Sequence, residues 1–232
     1  VRLLPVSKTV PEDRLRLAIA AGMTELGENK VQEAQRKAGN LADLGVRWSV
    51  IGHLQSNKAK DVAAFASEFQ ALDRLKVADG LERRLQAAGR ALDVFVQVNT
   101  SAEDTKFGLA PEELLPFLRA LRSHDALNVR GLMTLAVFSD DTERVRACFR
   151  LLRDLRDRAR DTDPDLVGDG HLSMGMSGDF ELAITEGATV VRVGQAIFGA
   201  RPTPDALYWP GLFPDPPPGE STSHASASSE SV

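Results

Sequence analysis

The feature that most constrains the fold is a repeated alternation between short apolar runs and longer segments with helical period. The runs are continuously apolar, which is typical of strands buried on both faces of a parallel sheet covered by helices. Eight such units favour a closed barrel over an open sheet. We therefore predict one (β/α)8 barrel of the TIM type, in the α/β class, with strands at 3–6, 24–26, 48–51, 69–72, 94–98, 129–133, 171–173 and 190–193.

Segments with helical period lie between these predicted strands. Pro111 is followed by two glutamates, a combination that suits the first turn of a helix. The predicted helices are 12–21, 30–38, 59–66, 75–88, 111–121 and 142–158.

The chain divides into one domain and a tail. Its 232 residues suit a single barrel of about 250 residues. From Pro214 the sequence PDPPPGESTSHASASSESV is rich in Pro and Ser and has almost nothing to bury, which predicts disorder. We expect the barrel over residues 1–213 and a disordered tail over 214–232.

Charge, apolar runs and cysteine content indicate which partners and which cellular compartment are compatible with the chain. A net charge of −5 with both signs interspersed argues against non-specific nucleic-acid or membrane-surface binding. No apolar run is long enough to span a bilayer, and no signal peptide is evident. Cys148 is the single cysteine and falls at an apolar helical position, which predicts a buried thiol in a reducing compartment. We expect a cytoplasmic protein with a small-molecule partner.

Two turns at the carboxyl ends of the last strands predict a phosphate site. In SMGMSGD and RVGQAIFG, Ser and Gly leave backbone N–H groups uncovered before a helix N-terminus. Either cluster alone could be only a tight turn. Both fall where barrels frequently bind phosphate, at Ser177, Gly178, Gly194 and Gln195.

Arg192 interrupts the apolar strand TVVRVG, where a guanidinium needs a partner because an unpaired buried charge is costly. One explanation is a structural ion pair with a carboxylate. The other is an aromatic ring nitrogen of a bound ligand.

Lys8 in LLPVSKTVP places a long cation where the first buried strand ends. It could pair with phosphate or extend its amine to solvent. Alternatively, burial and neighbouring cations could neutralise it and let it form an imine with a carbonyl. An imine-forming aldolase acting on a sugar phosphate and a protein that binds pyridoxal 5'-phosphate (PLP) both fit. Arg192 favours PLP, because a pyridine nitrogen calls for a donor inside the last strand.

At these residues the chain resembles the pyridoxal phosphate homeostasis protein family. That family's barrel is similar to the N-terminal domain of alanine racemase, the PLP fold type III. The resemblance runs from the first strand to the last and leaves out the tail. The matching segments are VSKT (6–9), GENKVQE (27–33), WSVIGHLQSNK (48–58), TKFG (105–108), GLMTL (131–135) and LSMGMSGDFELAITEGATVVRVGQAIFG (172–199).

The resemblance implies roles for individual residues. Lys8 would be the Schiff-base lysine, and Arg192 would face the pyridine nitrogen. His53 on its own could equally be a core histidine hydrogen-bonded to a carbonyl. The phosphate would be held by Ser177, Gly194 and Gln195, and the ring would be lined by Met133, Asn29 and His53.

The resemblance also implies a function. The family binds and delivers PLP and influences vitamin B6 and amino-acid balance without an established catalytic activity. It implies PLP as the cofactor and apo PLP-dependent enzymes as candidate recipients. We expect a monomer, because no second domain needs to meet the pocket, and we expect no metal site.

A PLP-dependent amino-acid racemase is the alternative. Racemisation needs a second acid/base, supplied in alanine racemase by a tyrosine of a further domain, whereas the one tyrosine here is Tyr208. Lys106 or His53 would have to replace it. An arginine opposite the ring nitrogen also disfavours ring protonation and weakens the electron sink. We therefore expect a carrier or regulator of PLP rather than an enzyme.

Overall fold

The computed structural model describes residues 1–103 and 106–199. Two sequence-based predictions, the disordered tail at 214–232 and the position of Tyr208, lie outside the described residues.

Eight parallel strands form one nearly closed barrel, which confirms the predicted fold class. The strand order around the barrel is β1-β8-β7-β6-β5-β4-β3-β2. The first two strands meet through a bridge between Val6 and Gly27 and a hydrogen bond from Ser7 N–H to Gly27 O of 2.9 Å. The strands are β1 (Arg2–Pro5), β2 (Glu25–Glu28), β3 (Arg47–Val50), β4 (Glu68–Leu72), β5 (Leu92–Gln97), β6 (Leu127–Met133), β7 (His171–Ser173) and β8 (Val190–Val193).

Helices cover the outside of the barrel, and most agree with the predicted segments to within a few residues. The predicted helix at 111–121 begins instead as a 3₁₀ turn, Pro111–Glu113. Two short helices after β7 and β8 were not predicted, because four to six residues are too few to show a helical period. The helices are α1 (Glu12–Ala20), α2 (Val31–Asn40), α3 (Ala59–Phe65), α4 (Leu75–Ala87), α5 (Leu114–Leu121), α6 (Thr142–Thr162), α7 (Phe180–Thr185) and α8 (Gln195–Phe198).

The longest helix, α6, begins and is buried as its sequence predicts. The side chain of Asp141 caps it by accepting the N–H groups of Glu143 and Arg144. Cys148 lies on its buried face, as expected. Over the described residues no helix is both long and apolar enough to cross a membrane.

The barrel interior contains a chain of buried polar side chains rather than apolar layers alone. Ser173 Oγ donates to Gln70 Oε1 at 2.6 Å, and Gln70 Nε2 donates to Glu68 Oε1 at 2.6 Å. Ser49 Oγ also donates to Glu68 at 2.6 Å. These bonds satisfy groups that would otherwise be costly to bury. These hydrogen bonds run from Glu68, at the amino end of β4, to Ser173 at the end of β7, next to β8, where the candidate site begins.

Candidate functional site

A cleft of about 200 Å³ opens at the carboxyl ends of β1 and β8. These strands are neighbours, with Leu4 opposite Arg192, so the loops that follow them lie side by side. Lys8, Gly194 and Gln195 all line the cleft. The side chain of Lys8 is almost fully enclosed, with the residue 4% exposed. The structure therefore brings together the lysine and one of the two predicted phosphate turns.

The second predicted turn meets the first directly. Gly194 caps α8, and its N–H donates to Ser177 Oγ at 3.3 Å. In the Ser177 turn, the Asp179 carboxylate accepts the N–H of Met176. Burial raises the pKa of Asp179, while the Met176 N–H and the charge of Arg192 oppose that rise. Ser177 and Gly194 thus form one polar surface beside the cleft, as the positions of the two turns predicted.

Arg192 points into the barrel and is held by neutral acceptors. Its Nη1 donates to Ser173 Oγ and its Nη2 to Thr134 O, each at 2.7 Å. Burial lowers the pKa of Arg192 to about 10, with Asp179 acting in the opposite direction, so it remains protonated at neutral pH. A guanidinium carries five N–H donors, more than these two bonds use. The hydrogen bonds of Arg192 to other described residues are therefore made to neutral acceptors and not to a carboxylate.

Met133 ends β6 and Asn29 follows β2, so the two residues come from strands on opposite sides of the barrel. Met133 is buried and lies in register with Ser173, whose hydroxyl contacts Arg192, so it shares the interior face with them. Asn29 follows β2, and its Oδ1 is buried with no hydrogen-bond partner among the described residues. An unsatisfied buried acceptor calls for a donor, and a bound ligand would supply one.

A glycine in GHLQSNK permits the close approach of Asn29. A Cβ on Gly52 would lie 2.2 Å from the backbone oxygen of Asn29, closer than real contacts allow. The loops after β2 and β3 therefore pack backbone against backbone at this point. Only glycine at this position leaves Asn29 where it is.

His53 lies in a cluster of charged and aromatic residues. Its ring stacks on Phe107 with centroids 3.8 Å apart, and its Nδ1 lies 3.6 Å from Asp73 Oδ2. Its Nε2 is 2.9 Å from an Nη of Arg74. The pKa of the His53 imidazole is lowered, mainly by burial and also by the charge of Arg74, although Asp73 acts in the opposite direction. These contacts engage Nε2 and one ring face, whereas Nδ1 has no hydrogen-bond partner among the described residues. The ring makes no hydrogen bond to a carbonyl of the described residues, which is the alternative considered above for His53.

Sequence reasoning missed the residues that support Arg192 and Lys8. Ser173, Thr134 and Gln70 hold Arg192 directly or through one another. A signal was present in β4, where the polar residues Glu68 and Gln70 alternate with apolar residues in a strand that is buried throughout. A second missed group is the buried charge cluster next to Lys8, formed by Ser7, Glu28, Glu33 and Lys37.

Glu28 in this cluster makes stability depend on pH. Burial raises its pKa to about 7 against the attraction of Lys37, and its Oε2 finds no partner among the described residues. Because the folded-state pKa lies above the unfolded value of 4.5, the stability that Glu28 contributes is complete below pH 4.5 and is lost as pH rises through about 7.

We therefore expect wild-type protein to lose stability relative to Glu28→Gln as pH rises from 5 to 8. The expected loss is on the order of 3 kcal/mol, since each pKa unit corresponds to about 1.4 kcal/mol. Urea unfolding of both proteins across this range measures the difference. A difference that does not vary with pH would contradict the raised pKa.

A family model and several sequence relatives match most of the chain. The family model described as "Alanine racemase, N-terminal domain" matches residues 2–202. The pyridoxal phosphate homeostasis protein of Pseudomonas aeruginosa is 44% identical over 201 residues, which cover 87% of this chain and 85% of that protein. The protein of the same name from Aquifex aeolicus is 41% identical over 201 residues, 86% of this chain and 87% of that protein.

Solved structures agree with the sequence relatives. PipY of Synechococcus elongatus, solved with PLP bound, superimposes with a TM-score of 0.80 at 35% identity, covering 86% of this chain and 92% of that chain. Alanine racemase of Clostridium difficile superimposes with a TM-score of 0.71 at 14% identity, covering 88% of this chain and 54% of that chain, and this likeness concerns the fold alone. The chain therefore belongs to the family of the pyridoxal phosphate homeostasis proteins, built on the barrel of the alanine racemase N-terminal domain.

Proposed function

We propose that this protein binds PLP and acts in intracellular PLP homeostasis, with Lys8 as the covalent attachment point. The observation that carries the proposal is the shared cleft, in which an enclosed lysine lies beside the turn at Gly194 and Gln195. When bound, PLP supplies an aldehyde, a phosphate and a pyridine nitrogen on one small ring. The relatives named for PLP homeostasis and the PLP-bound PipY structure support the same ligand.

The residues of the site fit that ligand. The backbone N–H groups near Gly194 and the Ser177 hydroxyl would hold the phosphate, with Gln195 beside them. Arg192 would donate to the pyridine nitrogen, and Met133 and Asn29 would flank the ring. The Nζ of Lys8 would form a C=N bond with the aldehyde carbon while the aldehyde oxygen leaves as water.

The racemase alternative gains no support from the two predicted second bases. Lys106 Nζ donates to Ala136 O at 2.9 Å and pairs with Glu103. His53 is engaged by Asp73, Arg74 and Phe107. Lys106 Nζ and His53 Nε2 would have to leave these contacts to exchange protons with a substrate. We therefore favour a carrier that delivers PLP to apo-enzymes. We also propose that the protein is a monomer and that it acts in the cytoplasm, since a free buried thiol at Cys148 is compatible with a reducing compartment.

The test combines delivery and catalysis. We expect the purified protein mixed with PLP to develop a yellow absorption band that borohydride bleaches, and to activate an added apo PLP-dependent enzyme. General acid–base assistance contributes about 10²–10⁴-fold, so without a second base we expect racemisation of alanine or serine close to the rate with free PLP. Fast racemisation that vanishes in Lys8→Ala would overturn the carrier proposal and favour the racemase.

A further inference from the structure

The backbone directly after Lys8 has an unusual conformation. Thr9 has φ of 65°, in the left-handed region that β-branched residues rarely adopt. Val10 N–H donates back to Ser7 O at 3.0 Å, so the chain reverses tightly around Lys8. Such a conformation persists only where the surrounding structure holds it, and it is frequent at functional sites.

Lys37, which α2 carries beneath this turn, holds the residue before Lys8. Its side chain is buried to 1% exposure, and its Nζ donates to Ser7 O at 2.7 Å. The same Nζ donates to Glu28 Oε1 at 2.7 Å, and Ser7 Oγ donates to that oxygen at 2.7 Å as well. Burying an ammonium costs free energy unless charged and polar groups surround it. The backbone oxygen of Ser7 is one of the groups that surround the ammonium of Lys37.

Glu33, one helical turn before Lys37, holds the residue after Lys8. Its Oε1 accepts the N–H of Thr9 at 2.9 Å and the Nζ of Lys37 at 2.8 Å. Residues four apart on a helix share a face, so one face of α2 fixes both backbone neighbours of Lys8. The helix thus contacts the turn on either side of the lysine.

We infer that Lys37 and Glu33 are positioning residues that fix the strained turn around Lys8 and so aim its amine at the aldehyde of PLP. The inference rests on the proposed function, since it concerns attachment at Lys8. A misplacement of about 1 Å at a reacting group can cost about 10²-fold in rate. Losing either contact would let the turn relax and move the amine.

The experiment separates attachment from binding. We mix wild type and Lys37→Met with PLP, follow the growth of the yellow band, and map the borohydride-fixed label by mass spectrometry. We expect attachment at Lys8 to slow by about 10- to 100-fold. Affinity for pyridoxine 5'-phosphate, which has no aldehyde, should stay within about threefold, because the phosphate contacts are separate from the turn. Lys60→Met, an exposed substitution in α3, is the matched control.

A second pair of variants decides the outcome if Lys37→Met does not fold. Glu33→Gln keeps an oxygen that can accept the Thr9 N–H, whereas Glu33→Leu removes it. We expect slow attachment in Glu33→Leu and substantial rescue in Glu33→Gln. Equal loss of pyridoxine 5'-phosphate affinity and attachment rate would indicate a merely structural role and overturn the inference, as would wild-type rates in Glu33→Leu. Wild type that carries no label at Lys8 would instead overturn the proposed function, and the inference with it.

Discussion

Lys8→Ala is expected to abolish covalent attachment of PLP while leaving part of its binding. Borohydride treatment of wild type should add the mass of reduced PLP to the peptide that contains Lys8, and the variant should lack both this label and the yellow band. Lys8 is the lysine that lines the cleft with Gly194, so its amine has no substitute there among the described residues. Phosphate contacts at the turns should still hold PLP, which equilibrium dialysis measures.

Lys58→Ala provides the control for this prediction. Lys58 follows β3 and pairs with Asp61 at 3.4 Å, so its removal should leave the label on Lys8 unchanged. Label found chiefly on Lys58 or Lys106 in wild type would show that attachment occurs elsewhere. Full retention of the yellow band in Lys8→Ala would have the same meaning.

Gly194→Val is expected to weaken PLP binding by about 10- to 100-fold, because each lost hydrogen bond to a charged group is worth about 1.5–3 kcal/mol. The valine side chain would stand where the backbone approaches the phosphate, at the cap of α8. The φ of −118° at this position lies outside the left-handed region that favours glycine, so we expect a smaller effect on folding than on PLP binding. Fluorescence titration with PLP and thermal unfolding measure the two effects separately.

Two further variants test whether the effect of Gly194→Val is specific to the phosphate turn. Gly39→Val is the control, because Gly39 lies exposed near the end of α2 and a Cβ there would meet nothing within 4 Å. Ser177→Ala should weaken PLP less than Gly194→Val, since it removes one hydroxyl and leaves the backbone donors in place. Unchanged PLP affinity in Gly194→Val would place the phosphate elsewhere.

The sequence by itself determined the architecture and the end of the barrel that carries the site. Continuous apolar strands and helical periods are local patterns, and they predicted the eight-stranded barrel with strand ends accurate to a few residues. The same patterns placed Lys8 after β1 and the turns at Ser177 and Gly194 after β7 and β8. In a parallel barrel all these carboxyl ends lie on one face, which is why the candidate residues could be named in advance.

Only the tertiary structure decided which groups hold these residues. Arg192 bonds to Ser173, 19 residues away, and to Thr134 O, 58 residues away, while Lys37 reaches Ser7 O across 30 residues. Such partners depend on strand register and on closure of the barrel, neither of which leaves a local periodicity. Thr9 shows the same limit, because its left-handed backbone is imposed by Glu33 from a neighbouring helix rather than by its own preference.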